Sequence, residues 1–337
     1  MEGGRKMGII KLRTKIEAFI VICFLIMLTT VSVLSVTRTI TNSGDNSYML
    51  IRNSKGNYWD PTGANLQAAI NDLGDSGGTI WVGDDITLSS EIRFIYSNMI
   101  LDFEGHTVTL GADISFINVT DGVWYSTVRN VKIDVSNGQT KSIIILYAPP
   151  NGGWPYRLRF NLFENIEINN AYGYANHNYI GIHLYLDVGT DNPNGRASFL
   201  CNTFRKITIA APKIGILLQC DDCDAYGGGN TFDDIFIDTF VTGVEFRIDA
   251  GASNLGFSES VFNNVKMQAD TWSKDGFKSI TGNGNHFDHC LIWDWIVASL
   301  PNHEWSITNR AEDTYICAHY IVDILDQGVH TNIVNPL

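Results

Sequence analysis

Asn161-Leu-Phe163-Glu-Asn165-Ile166-Glu-Ile168 returns as Asn202-Thr-Phe204-Arg-Lys206-Ile207-Thr-Ile209, as Asn230-Thr-Phe232-Asp-Asp234-Ile235-Phe-Ile237, and as Ser260-Val-Phe262-Asn-Asn264-Val265-Lys-Met267. A weaker copy opens at Asn285-His-Phe287, and the phenylalanines are separated by 41, 28, 30 and 25 residues. Alternation of apolar and polar residues within each copy reads as short strands. A spacing of about 25–30 residues between copies reads as one coil of a solenoid. Equivalent side chains of successive coils then stack about 4.8 Å apart. The asparagines Asn161, Asn202, Asn230 and Asn285 are expected to form a hydrogen-bonded ladder at a turn, and the phenylalanines an interior column.

A second motif lies between the copies: IGIHLYLD from Ile180, IGILLQCD from Ile214, TGVEFRID from Thr242 and, more loosely, DGFKSITG from Asp275. Each alternates as a strand does. Two or three short strands per coil, few helices and polar turns predict an all-β, right-handed parallel β-helix. Leucine-rich repeats are excluded by the missing Leu-x-x-Leu-x-Leu pattern, and a β-sandwich would not repeat the same residues at one period. Ahead of the repeats, Leu66, Ala69, Ile70 and Leu73 follow helical spacing and Gly74 stops the helix, which makes a short N-terminal capping helix.

Upstream of the solenoid, Arg5, Lys6, Lys11, Arg13 and Lys15 precede an uncharged apolar run from Ala18 to Val36. That pattern reads as a transmembrane signal-anchor or a long signal peptide, with the rest of the chain delivered outside. The expected organisation is a cytosolic basic segment (1–17), the membrane segment (18–36), a tether (37–62) and the β-helix (63–337). Residues 1–36 hold five basic and two acidic side chains. Subtracting them from totals of 23 and 36 leaves 18 against 34, a net charge of −16 on the exported part. Nucleic acid is an improbable partner for such a surface. A neutral polysaccharide suits it, whereas an acidic one would need a bridging cation.

The helix Asn65-Leu-Gln-Ala-Ala-Ile-Asn71, the turn and strand Gly77-Gly-Thr-Ile-Trp-Val-Gly83, and MILDFEGHTVTL from Met99 resemble the start of pectin-lyase-like β-helix proteins. The resemblance runs from about Gly63 to Asn335. It implies a group of polysaccharide lyases, polygalacturonase-type hydrolases and phage tailspike domains. Of the four motifs a polygalacturonase-type site would carry, only Asp221-Asp222 has a counterpart here, and no Gly-His-Gly occurs. A pectate-lyase mechanism would need calcium and a basic residue, for which Arg247 is the strand-borne candidate.

Within the second motif, Ile180, Ile182, Leu184 and Leu186 should point inward, as should Ile214, Ile216, Leu218 and Cys220, and then Val244, Phe246 and Ile248. The opposite face then carries His183, Tyr185 and Asp187 on one coil, Leu217, Gln219 and Asp221 on the next, and Glu245, Arg247 and Asp249 on the third. Asp187, Asp221 and Asp249 form one outward column at separations that bracket the carboxylate pairs of glycosidases. The expected catalytic set is Asp187, Asp221 and Asp249 with Glu245 in reserve. His183, Tyr185, Arg247, Trp154 and Tyr156 are expected to hold sugar, with further loop aromatics at Tyr172, Tyr174 and Tyr179. The alternative is a non-catalytic adhesion or glycan-binding surface, in which each Asp only starts a turn.

Asp221, Asp222 and Asp224 offer oxygen ligands for calcium, on a spacing that matches no EF-hand loop. Cys220 and Cys223 lack a nearby second pair for zinc. Of the five cysteines beyond the membrane segment, Cys201 is expected to pair with Cys220 or Cys223. Asn118-Val-Thr120 is a lone glycosylation sequon.

Overall fold

The repeated phenylalanines do stack. In the computed structural model, the rings of Phe163, Phe204, Phe232, Phe262 and Phe287 form one file with successive centroids 5.0, 5.1, 4.7 and 4.8 Å apart. All five are buried, and burial of each contributes about 2 kcal/mol. The structure describes residues 50–120, 122–148, 157–170, 178–187, 198–221, 226–248, 257–294, 303–312, 314–318, 324–328 and 331–334. The membrane segment, the cytosolic segment and residues 37–49 of the tether lie outside them. Among the described residues no helix is long and apolar enough to cross a membrane.

The file exists because the chain visits the same sheets in the same order on each coil. Leu162–Asn169 belongs to a first sheet, Ile180–Asp187 to a second and Ser198–Leu200 to a third. Thr203–Ala210, Ile214–Asp221 and Tyr226–Gly228 then repeat the sequence one rung further on. Register is direct, with Phe163 opposite Phe204, Ile182 opposite Ile216 and Leu158 opposite Phe199. Among the described residues the sheets hold fourteen, nine and four strands, and every pairing is parallel except those of Ile51–Asn53 with Tyr58–Trp59 and with Gly78–Val82. Among the described residues the architecture is a parallel β-sheet solenoid, mostly β with one short α-helix. Ile51–Asn53 and Tyr58–Trp59 fall in the stretch read as tether, where buried Ile51 extends the first sheet.

That helix spans Gly63–Leu73, as its spacing requires. Thr62 caps it by accepting from the Asn65 N–H at 3.2 Å, and Gly74 ends it at φ 51°. Leu66, Ala69, Ile70 and Leu73 are buried in the core beside Gly78–Val82, Ile86–Leu88 and Ile92–Phe94.

Within the long strands of the first sheet the alternation is not strict. Phe163, Ile166 and Ile168 all face inward, a step of three followed by a step of two. Asn165 takes up the extra residue in left-handed backbone at φ 54°, and Lys206, Asp234 and Asn264 do the same at 53°, 55° and 53°. These residues bend each strand and leave the register on both sides intact.

The asparagine ladder is also present. Asn161, Asn202, Asn230 and Asn285 are buried where the third sheet turns into the first. Asn202 Oδ1 accepts from the Asn161 main-chain N–H (3.2 Å) and from Asn161 Nδ2 (3.0 Å), and Asn202 Nδ2 donates to the Leu158 carbonyl (3.0 Å) and to Asn230 Oδ1 (3.1 Å). Each amide thus ties the turn of the preceding coil to its own, since Leu158 lies one rung before Phe199, and bonds onward to the next asparagine. Between the first and second sheets, Gly181, Gly215 and Gly243 form another column. A Cβ on Gly215 would lie 2.6 Å from both the Gly243 carbonyl oxygen and Ile237 Cδ1, so the two sheets meet only where a side chain is missing.

The disulfide expectation is corrected. Cys201 is a free, exposed thiol, whereas Cys220 faces the core, fully buried, and is disulfide-bonded. The two lie on opposite sides of the solenoid wall. Cys223 is outside the described residues.

Candidate functional site

The outer face of the second sheet gathers the polar residues of the second motif into three rows. The first row runs Asn118, Ile145, His183, Leu217, Glu245 and Lys278, and the second Tyr147, Tyr185, Gln219 and Arg247. In the third row Asp187 sits directly opposite Asp221. Asp249, expected as the next member, lies outside the described residues, as do Trp154, Tyr156, Tyr172 and Tyr174. Tyr179 is not a surface aromatic. It is buried and its hydroxyl donates to the Ala210 carbonyl, so it belongs to the core.

Each tyrosine reaches one rung along the solenoid to a carboxylate. Tyr147 Oη donates to Asp187 Oδ2 at 3.2 Å, and Tyr185 Oη donates to Asp221 Oδ2 at 2.8 Å. The two rings stack with centroids 5.2 Å apart, and the His183 ring stacks on Tyr185 at 5.3 Å. Burial first, then the neighbouring Asp187, pushes the Tyr147 hydroxyl above its ordinary value. Burial followed by the bond to Asp221 does the same for Tyr185. Both phenols therefore stay protonated and act as donors.

His183 joins a longer chain. Gln219 Nε2 donates to Asp221 Oδ1 (3.1 Å) and Oδ2 (2.9 Å), which turns Gln219 Oε1 toward His183 Nε2 at 3.2 Å. Nε2 is thus the protonated nitrogen, and Nδ1 accepts from Ser142 Oγ at 3.0 Å. Burial pushes the imidazole down to about 4, against the raising effect of the Gln219 bond, and keeps the ring neutral.

Outward register does not mean exposure on this face. His183 and Glu245 are buried, and Leu217 between them is fully so. The carboxylate of Glu245 accepts from Arg247 Nε (3.2 Å) and Nη2 (3.1 Å) and lies 3.6 Å from Lys278 Nζ. Arg247 is thereby held by a carboxylate. Tyr147, Ser142, Gln219 and Lys278 complete a site that the motif alone placed on His183, Tyr185, Asp187, Asp221, Glu245 and Arg247. Tyr147 was legible in the alternation of Ile144–Ala148, a strand with no aspartate in the described structure to mark it.

Three carboxylates (Asp187, Asp221, Glu245) face two cations (Arg247, Lys278) around a neutral histidine. Among the described residues no group of three His, Cys, Asp or Glu is placed to hold a metal. Asp222 and Asp224, on which the calcium expectation rested, lie outside them. Chemically the face offers half-buried aromatic rings, hydroxyl donors and carboxylate acceptors repeated at the rung spacing.

No family model matches the chain, and no curated protein matches it. Among solved structures, ORF18 of Geobacillus virus E2 is similar over 80% of this chain and 56% of its own, at 12% identity and a TM-score of 0.44. The chain spans little more than half the length of that protein.

Proposed function

We propose that this chain is an extracytoplasmic, right-handed β-helix of the pectin-lyase-like kind that binds a neutral polysaccharide along the outer face of its second sheet. Crossovers between parallel strands of one sheet are right-handed in about 98% of cases, which supports the handedness. The basic flank and apolar run of residues 1–36 support export. The observation that carries the binding reading is the row of Tyr147 and Tyr185 with their paired aspartates, one Tyr–Asp unit per rung. Aromatic rings pack the apolar faces of sugars, and fixed carboxylates accept sugar hydroxyls. A near balance of charge suits a neutral chain.

Cleavage of a glycosidic bond is the second reading. Asp187 and Asp221 are direct partners on neighbouring strands, at a rung spacing of about 4.8 Å close to the retaining-glycosidase separation of about 5–5.5 Å. Yet the protein atoms bonded to Asp221, from Tyr185 and Gln219, are all donors, an arrangement that holds an acceptor in place and supplies no proton to a leaving group.

The test is a glycan panel against the full chain, read for binding and for reducing-end release. Tyr185→Ala should lower affinity for the bound glycan at least tenfold without any change in release. Binding of no glycan would overturn the proposal, and release abolished by Asp221→Asn would replace it with the hydrolase reading.

A further inference from the structure

At the corner between the third and first sheets, one residue per coil takes left-handed backbone. Glycine fills two of these positions, Gly229 (φ 64°) and Gly284 (67°), and the small or polar Asn98, Cys201 and Glu259 fill others, yet Tyr125 and Phe160 hold two, both at 54°. A bulky residue is an outlier in that region, and the fold does not demand one, because glycine serves the same corner elsewhere. Both rings are also pushed into solvent, Tyr125 58% exposed and Phe160 46%. They lie parallel to within 5°, with centroids 5.1 Å apart. Beside them Trp124, 37% exposed, bridges to Arg159, whose guanidinium lies 6.0 Å from the indole centroid. Four side chains on two successive coils therefore make a patch two residues wide and two rungs long. Beyond Phe160 the next two corners are Cys201 and Gly229, so the aromatic row ends above a low shelf.

We infer that Trp124, Tyr125 and Phe160, with Arg159 as hydrogen-bond donor, form a second sugar-binding site at this corner, separate from the outer face of the second sheet. Its occupant is a neutral pyranose oligosaccharide. Three rings and one guanidinium are far short of the roughly 20–30 residues a side that a stable protein interface uses. Tyr125 and Phe160 face each other, so the face left for a pyranose ring is that of Phe160 above the low shelf of Cys201 and Gly229. An exposed aromatic cluster kept in a strained backbone conformation marks a binding site more than a packing one.

Substitution by glycine at the two corners separates binding from folding. The double variant Tyr125→Gly/Phe160→Gly removes both rings and relieves the left-handed strain, so its melting temperature should equal or exceed that of the parent. Its affinity for cellohexaose, mannohexaose or xylohexaose, whichever the parent binds, should fall at least tenfold by titration calorimetry. Tyr125→Phe, which keeps the ring, should retain the parent affinity. Unchanged affinity in the double variant would overturn the inference, and so would a lowered melting temperature, which would make the rings structural. Binding of none of the three oligosaccharides by the parent would also overturn it. Tyr185→Ala on the second sheet tests the other site: loss there with the corner variant unaffected removes this inference alone, and the converse removes only the second-sheet reading.

Discussion

Replacing Asn202 by alanine should be among the most damaging single changes in the solenoid. Its side chain is fully buried. Alanine would strip the Asn161 main-chain N–H of its acceptor and the Leu158 carbonyl of a donor. A buried polar group left unsatisfied costs about 1–3 kcal/mol. Two such groups give about 2–6 kcal/mol, and a loss of about 4 kcal/mol is expected. Asn202→Ser should cost roughly half as much, because serine already fills the equivalent rung at position 260. There the Ser260 N–H still donates to Asn285 Oδ1 at 3.0 Å and the hydroxyl turns to the Ser258 carbonyl. Urea unfolding followed by circular dichroism on the parent and both variants gives the ranking. An Asn202→Ala variant within about 0.5 kcal/mol of the parent, the range of neutral surface changes, would refute the ladder as a source of stability.

Phe232 lies between Phe204 and Phe262, so Phe232→Ala should cost about 3–5 kcal/mol by opening a cavity in the file, read as a shift of the urea midpoint. Gly215→Ala should lower the melting temperature, since its Cβ would lie 2.6 Å from a neighbouring carbonyl oxygen; a variant melting with the parent would show that the two sheets can separate there. His183 carries the pH dependence. Its folded value of about 4 lies below the ordinary 6.5, so the unfolded chain binds more protons between the two. The stability it contributes is present above about pH 6.5 and lost as pH falls toward 4, with a ceiling of roughly 3 kcal/mol. The parent should lose more stability between pH 7 and pH 4 than His183→Asn, and equal losses would contradict the burial assigned to the imidazole.

The solenoid was legible because stacking turns a structural column into a repeated letter. Phe at 163, 204, 232, 262 and 287 and Asn at 161, 202, 230 and 285 mark the register directly. The bend inside each first-sheet strand was hidden, since Asn165, Lys206, Asp234 and Asn264 share a backbone conformation and no side-chain type. The glycines at 181, 215 and 243 were visible as letters, but their cause is packing against Ile209, Ile237 and Met267 from another sheet. Six of the site residues followed from alternation, which gives direction. Alternation does not give exposure, so the burial of His183, Leu217 and Glu245 under their neighbours was out of reach. The Cys201 pairing failed for a similar reason: sequence spacing does not tell which side of the wall a thiol faces.

The binding face itself is tested most directly by hydroxyl-radical footprinting of the full chain with and without a polysaccharide it retains. Tyr147 and Tyr185 are half-buried and should lose most of their remaining oxidation when the glycan is bound. Trp272, exposed on the turn between the first and second sheets, should be oxidised equally in both states. Unchanged oxidation of Tyr147 and Tyr185 in the presence of bound glycan would contradict the assignment of the second sheet as the binding face.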